Sequence, residues 1–182
     1  MKLGLVCISE ILKAQSKNNA FQTMTRKRFN DLPRTHALAE LSKRILHNAR
    51  LTGRVIGHCA SIDIKHYRVS SNLFPLVTDQ TLDINLNELV DLDRIMVALQ
   101  QAGTVARSLG VSLSSHPDQF NVLPSLDDNT VERSIRELNH QSFVLDSMGC
   151  PQDYRAPMCL HLNRSIDPEK EDIYGYINRF GS

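Results

Sequence analysis

Val111-Ser112-Leu113-Ser114-Ser115-His116-Pro117-Asp118-Gln119-Phe120 is the stretch whose reading decides the fold. Its first four residues pattern as a short strand. Pro117 ends it, because proline has no amide N–H to give a sheet and holds the residue before it in an extended conformation. Residues 87–109 and 128–148, on either side, carry helical spacing of apolar side chains. His116 therefore stands at the C-terminal end of a strand set between two helices, where ligands and catalytic groups collect in α/β folds. A second histidine, His161, closes a second apolar strand over residues 156–162. Two histidines ending consecutive strands can converge on one metal ion. The plainer alternative is two unrelated histidines, one capping a loop and one satisfied in the core.

Working outward, residues 2–7 read as a short buried strand. Residues 13–33 show no periodicity, and a connection this long in a compact domain is either functional or disordered. Pro33-Arg34-Thr35 opens a helix of about 20 residues, with Leu38, Leu41, Ile45, Leu46 and Ala49 at helical spacing and Gly53 near its end. Residues 63–71 form the second strand, and Asn72-Leu73-Phe74-Pro75 turns the chain after it. Arg68, Ser70, Ser71 and Asn72 thus cluster at a strand's C-terminal end. Ser and Asn there are ordinary turn chemistry, whereas Arg68 inside a strand calls for a partner. Gly110 and Gly149 sit where helices end. Asp167-Pro168 resembles a further helix start.

The resulting order, β-α-β-α-β-α-β-α, implies α/β architecture with a parallel sheet and right-handed crossovers. Two arrangements fit: an open doubly wound sheet, or the first four units of a (βα)8 barrel, which needs about 250 residues to close. No Gly-rich GxGxxG follows the first strand, which counts against a dinucleotide fold. The 182 residues suffice for one domain, taken as 1–182. No apolar run approaches the roughly 20 residues of a membrane span. The four cysteines, Cys7, Cys59, Cys150 and Cys159, are far apart and form no CxxC. A reduced, cytoplasmic thiol set follows, with Cys7 and Cys159 acting as small hydrophobes in strands. The net charge of +1 excludes a globally basic nucleic-acid binder. Residues 24–54, however, hold eight Lys or Arg against Asp31 and Glu40, while residues 79–93 hold five acidic residues before the first Arg. Two solvated helix faces would explain this, as would a phosphate-tracking surface in the basic segment.

Several motifs together resemble the UV damage endonuclease (UVDE) family of TIM-barrel DNA-repair nucleases. Tyr67-Arg68-Val69-Ser70-Ser71-Asn72-Leu73-Phe74-Pro75 is similar to the family's Arg-x-Ser-Ser-x-Leu-x-Pro signature, and Ser115-His116-Pro117-Asp118-Gln119-Phe120 to its His-Pro-Gly-Gln-Tyr/Phe motif. Leu3-Gly4 through Cys7 looks like its opening strand, and His47-Asn48 matches a family Asn. Val131-Glu132-Arg133-Ser134 resembles the helix after the His motif, and Leu160-His161-Leu162 its Leu-His-x-Gly-Gly strand end. The resemblance implies a (βα)8 barrel of which only the first four units are present, and a divalent-metal cluster (Mn, Mg or Zn) at its mouth. It carries His116 and His161 over as metal ligands and Gln119 and Phe120 as the pair that probes damaged bases. Asn48, Arg68, Ser70, Ser71 and Asn72 become DNA-binding or site-supporting residues.

The sequence also departs from the family. Asp118 stands where it has Gly, Leu5 and Ser9 where it has Tyr and Asn, Asn163-Arg164 where it has Gly-Gly, and Asp79 where a His often follows the Leu-x-Pro turn. The family's metal-binding carboxylates, further His ligands and modified Lys lie in the second half of its barrel, so the catalytic groups are expected outside these 182 residues. The expected activity is metal-dependent incision of duplex DNA next to UV photoproducts and other lesions, by a cytoplasmic, nucleoid-associated enzyme with no membrane partner. A C-terminal half or a second chain would complete the barrel. The alternatives are a catalytically incomplete DNA-binding fragment and a sugar isomerase-like TIM barrel. Residues 24–54 and the Gln119-Phe120 pair favour DNA, because a small sugar needs neither.

Overall fold

The computed structural model describes residues 3–118 and 120–160. Three short strands, β1 (Gly4–Val6), β2 (His66–Arg68) and β3 (Ser112–Ser114), form a parallel sheet in the order β1-β2-β3. A parallel bridge joins Ser115 to Met158, so the segment of the expected fourth strand enters beside β3. Its end, including His161, lies outside the described residues. Each strand sits next to its predecessor and the order never reverses. A doubly wound sheet reverses at a switch point, whereas a barrel adds strands in one direction. The observed order is the barrel's.

The register separates two faces. Leu5, Tyr67 and Leu113 lie side by side, and Tyr67 and Leu113 are buried under the helices. Burial pushes the Tyr67 phenol up, and its hydroxyl donates to the Cys7 carbonyl at 2.9 Å. The other face aligns Gly4 with His66 and Ser112, and Val6 with Arg68 and Ser114. It is polar: both ring nitrogens of His66 lie 2.8 Å from serine oxygens, Nδ1 from Ser112 and Nε2 from Ser114. In a barrel this face lines the interior.

The connection between β1 and the first long helix is ordered. It contains α1 (Glu10–Gln15), a 3-10 turn (Lys17–Asn19) and α2 (Arg26–Asn30), with Ser9, Ser16 and Thr25 as N-caps. These units are too short to show periodicity, and side-chain capping defines them instead. The next helix, α3 (Arg34–Ser61), runs well past the expected end at Gly53. Leu51, Val55, Ile56 and Cys59 continue its buried stripe, and that burial outweighs the roughly 1 kcal/mol cost of a helical glycine. Strand β2 is shorter than the 63–71 expected. Asp63 takes φ 57 before it, and Ser70 caps a 3-10 turn (Ser71–Leu73) after it. Helix α4 (Leu92–Ser108) starts later than 87, because Asn85 and Glu88 form a capping box around a separate 3-10 turn, Leu86–Glu88. Helix α5 (Asp128–Ser147) begins at its Asp127 cap. Gly110 and Gly149 take φ 66 and 67, the left-handed geometry that ends helices. All four cysteines are free thiols. Cys159 is exposed rather than packed as a small hydrophobe, and Cys7 lies just past β1 at φ 59. Among the described residues, no helix is long and apolar enough to cross a membrane.

Helices α3 and α4 pack along each other, and α4 in turn meets the end of α5. That second contact is close. The Arg107 guanidinium donates to the Met148 and Gly149 carbonyls at 2.8 and 3.0 Å, and a Cβ on Gly103 would lie 1.7 Å from the Met148 oxygen. Gly→Ala inside a helix ordinarily stabilises by up to about 1 kcal/mol. Here the sign reverses: Gly103→Ala is expected to destabilise by about 3 kcal/mol through overpacking, read as a lower urea midpoint. An unchanged or higher midpoint would mean that α4 and α5 stand further apart.

Candidate functional site

Beyond the C-terminal ends of the strands lies a cleft of about 650 Å³. One wall is the turn after β2, with Ser71, Asn72 and Phe74. The other is the loop after β3, with Asp118 and Phe120, backed by Arg133, Glu137 and His140 of α5. Arg26 and Asp79 close one side. The two sequence motifs on which the family resemblance rests therefore face each other across one opening.

Asn48, at 0 % exposure, fixes the first wall. Its Oδ1 accepts from the Gln22 N–H at 2.7 Å. Its Nδ2 donates to the carbonyls of Gln22 (2.9 Å), Asn72 (2.9 Å) and Leu73 (3.3 Å). The long β1–α3 connection and the turn after β2 are thus tied to one amide on α3. Ser70, also buried, accepts from the Asn72 N–H at 3.2 Å and shapes the same turn. Both residues support the site, and Ser71 and Asn72 are the exposed ones. Arg68 is half-buried on the inner face of the sheet and forms no ion pair among the described residues.

The second wall is held by Asp118. The Asp118 carboxylate accepts from the Phe120 N–H at 2.9 Å, and its carbonyl accepts from the backbone and side chain of Asn121 at 3.0 Å. This is the local turn chemistry of aspartate. The Phe120 ring is 67 % exposed. Its partner in the motif, Gln119, lies outside the described residues. His116 is half-buried behind this loop. Asp79 bonds Arg26 at 2.7 Å and accepts from the Thr81 backbone and hydroxyl, so it is a loop anchor at the cleft's edge.

Arg26 and His140 escaped the site reading. Arg133, Glu137 and His140 stand at i, i+4 and i+7 on α5, a spacing that puts all three on one face and could have found the histidine. The His140 ring packs edge-on against Phe74, at 4.9 Å between centroids. Its Nε2 is buried with no hydrogen-bond partner among the described residues. Burial lowers its pKa, while the nearby Glu137 raises it by less. The imidazole is thereby held neutral and forms part of the cleft's apolar base.

Among the described residues, no group of three or more His, Cys, Asp or Glu side chains gathers to hold a metal ion. His116 is the expected ligand that falls within them. The donors described do not by themselves make a divalent-ion site.

The basic segment is sorted by folding. Arg26 and Arg34 reach into the acidic segment, pairing with Asp79 at 2.7 Å and Glu88 at 2.9 Å. Arg28 and Arg44 share Glu40, whose carboxyl they hold below its usual range, and Lys27 pairs with Asp31. Pairs this exposed each contribute about 0–1 kcal/mol. Their effect is to offset five of the eight charges locally with carboxylates.

Replacing Asn48 by alanine strands the Gln22 N–H and three carbonyls. Each buried unsatisfied group costs about 1–3 kcal/mol before water enters. Asn48→Ala should therefore lose about 3 kcal/mol and become cleavable by protease near residues 20–25 and 70–75. Wild-type protease resistance in both segments would remove Asn48 from its tethering role.

Comparison with known proteins agrees with this geometry. The family model described as UV-endonuclease UvdE matches residues 1–179. The chain is 32% identical over 169 residues to a UV DNA damage endonuclease of Nostoc sp., covering 93% of this chain and 50% of that protein. It is 31% identical over 160 residues to the UV DNA damage endonuclease of Deinococcus radiodurans, covering 88% and 50%. The chain thus spans about half the length of these curated relatives. The crystal structure of SacUVDE superposes with a TM-score of 0.76 over 100% of this chain and 56% of that one. At 23% identity this likeness speaks for the fold, and it agrees with the sequential strand order of a TIM barrel. The chain belongs to the UV-endonuclease UvdE family.

Proposed function

We propose that this chain supplies the lesion-recognition half of a divalent-metal-dependent endonuclease, one that incises duplex DNA next to UV photoproducts and other lesions. The observation that carries the reading is Phe120, a ring 67 % exposed at the mouth of the strands. Single exposed apolar side chains are common; what sets Phe120 apart is its place at the cleft, in the His-Pro-Asp-Gln-Phe motif. Between parted bases, the same ring gains a stacking surface on both sides. A lesion that weakens base stacking lowers the cost of parting the duplex, and so selects itself. Ser71, Asn72 and Arg133 around the cleft offer hydrogen bonds and charge to the flanking phosphates. Gln119 would act beside Phe120. His116 and His161 would be two ligands of one Mn, Mg or Zn ion, with the remaining donors from outside the described residues. Such an ion would supply Lewis-acid assistance to phosphodiester hydrolysis.

A specific observation favours a second reading, DNA binding without incision: the described residues bring no three metal donors together. A nicking assay on lesion-bearing duplex with added Mn²⁺, run on the 182-residue chain together with a C-terminal half that completes the barrel, separates the two.

Phe120→Ala is expected to weaken binding to lesion-bearing duplex by about 1–3 kcal/mol, the worth of a base–aromatic stack, while the melting temperature stays put. In the companion variant, His116→Ala, DNA affinity should be retained and bound metal lost. A melting temperature several degrees lower in Phe120→Ala, with unchanged affinity, would make the ring a packing residue. Undiminished metal content in His116→Ala would remove that histidine as a ligand.

A further inference from the structure

A second cleft, of about 640 Å³, lies on the helical side of the molecule, apart from the strand ends. It runs along the outer face of α3, between the 3-10 turn at Lys17–Asn19 and the start of α4. Lys43, His47, Arg50 and Arg54 line it at spacings of four, three and four residues, one face of a helix. Arg94 adds a cation from α4. Its one carboxylate, Asp91, is already engaged by Arg94 at 2.6 Å and by the Ser42 hydroxyl.

The charge balance here differs from that of the rest of the basic segment. Lys43 and Arg50 have neither an ion pair nor a side-chain hydrogen bond among the described residues. Among the described residues, Arg54 bonds only the Asn18 carbonyl, at 2.9 Å. Among the described residues, these are the three cations of residues 24–54 that no carboxylate neutralises, and all three are in this cleft. Three like charges held on one rigid helix repel one another, an arrangement that a polyanion relieves. Two tethers set the opposite wall: Arg54 to Asn18, and His47 Nε2 to the Ala20 carbonyl at 3.0 Å. The apolar lining residue, Leu46, is only 5 % exposed. The cleft therefore offers charge and no apolar anchor, which suits a phosphodiester backbone better than a peptide side chain.

We propose that this cleft is a second, sequence-independent contact for the nucleic-acid backbone, separate from the lesion-probing cleft. At 1.5 Å per residue, the row from Lys43 to Arg54 is about 16 Å long. One DNA strand presents a phosphate about every 3.4 Å of axis, so the row faces several consecutive phosphates. The inference deepens the DNA reading and rests on it for the identity of the polyanion. Such a contact holds undamaged duplex and lesion-bearing duplex alike, keeping the protein on DNA between lesions.

The test is the salt dependence of binding to an undamaged duplex, for the wild-type chain and for Lys43→Gln/Arg50→Gln/Arg54→Gln. Each lost phosphate contact flattens the slope of log affinity against log salt by about 0.9. The triple variant is therefore expected to flatten it by about 2–3 and to bind at least tenfold more weakly at low salt. The double variant Lys43→Gln/Arg50→Gln breaks no protein hydrogen bond and should flatten the slope by about 2, with the wild-type melting temperature. Arg28→Gln, whose partner is Glu40, should leave the slope unchanged. If wild type binds duplex and both multiple variants keep its slope, this cleft is not a backbone contact, although the lesion reading stands. A flattened slope together with an inert Phe120→Ala would sustain the cleft and defeat the lesion reading. A wild-type chain that binds no duplex defeats both. Binding of tripolyphosphate at Lys43 and Arg50 with an unaltered duplex slope would replace the backbone by a small oxyanion.

Discussion

The amide of Asn48 is the constraint on which the mouth of this molecule depends. It is fully buried on the longest helix, and it binds one connection through Gln22 and the other through Asn72 and Leu73. Both connections also bury apolar side chains in the core, Met24 and Phe29 from one and Leu73, Phe74, Val77 and Leu82 from the other, and the amide fixes where the two meet. A buried polar group left unpaired is strongly unfavourable, so the two connections stay where the amide can be satisfied. Ser71 and Asn72 can then be exposed at the cleft without being loose. The first wall of the cleft is thus set in part by a hydrogen-bond requirement inside the helix–loop junction.

The strands contribute little area but much order. Three residues of each are paired, and their register decides which side chains face the helices and which face inward. His66 shows the consequence. Between Ser112 and Ser114 it satisfies both ring nitrogens, while burial and the neighbouring Arg68 charge lower its pKa. Arg68 at the next inward position meets no carboxylate among the described residues. The inner face therefore carries a cation, Arg68, at its last paired position before the strand ends.

Folding also changes what the charge pattern means. In the chain, residues 24–54 form one basic block. In the structure, Arg26 and Arg34 cross-link that block to the acidic stretch, and Glu40 absorbs two more cations. What remains positive is the helical face of Lys43, Arg50 and Arg54. The electrostatic signal is smaller than the linear count and better localised. A fixed row on a helix has already lost the conformational freedom that scattered cations would have to give up on binding.

The sequence by itself determined the alternation of strands and helices, the turn glycines at Gly110 and Gly149, the long helical stripes, and the motif pair around Arg68 and His116. These are legible because periodicity, proline and glycine act through local sterics and burial, which neighbours in the chain express directly. It did not determine the short capped helices of residues 10–30, since one or two turns carry no period. Nor did it place the end of α3 beyond Gly53, since only packing against α4 offsets a glycine within a helix. Tertiary structure alone decided that strand order runs in one direction and that Asn48 is a tether rather than a surface contact. It also decided that His140 lies beneath the cleft and that, among the described residues, three of the eight cations of residues 24–54 remain unpaired. Each of these depends on which residues meet across long stretches of chain. That meeting is set by the burial of apolar faces and the satisfaction of buried polar groups, neither of which a local pattern can express.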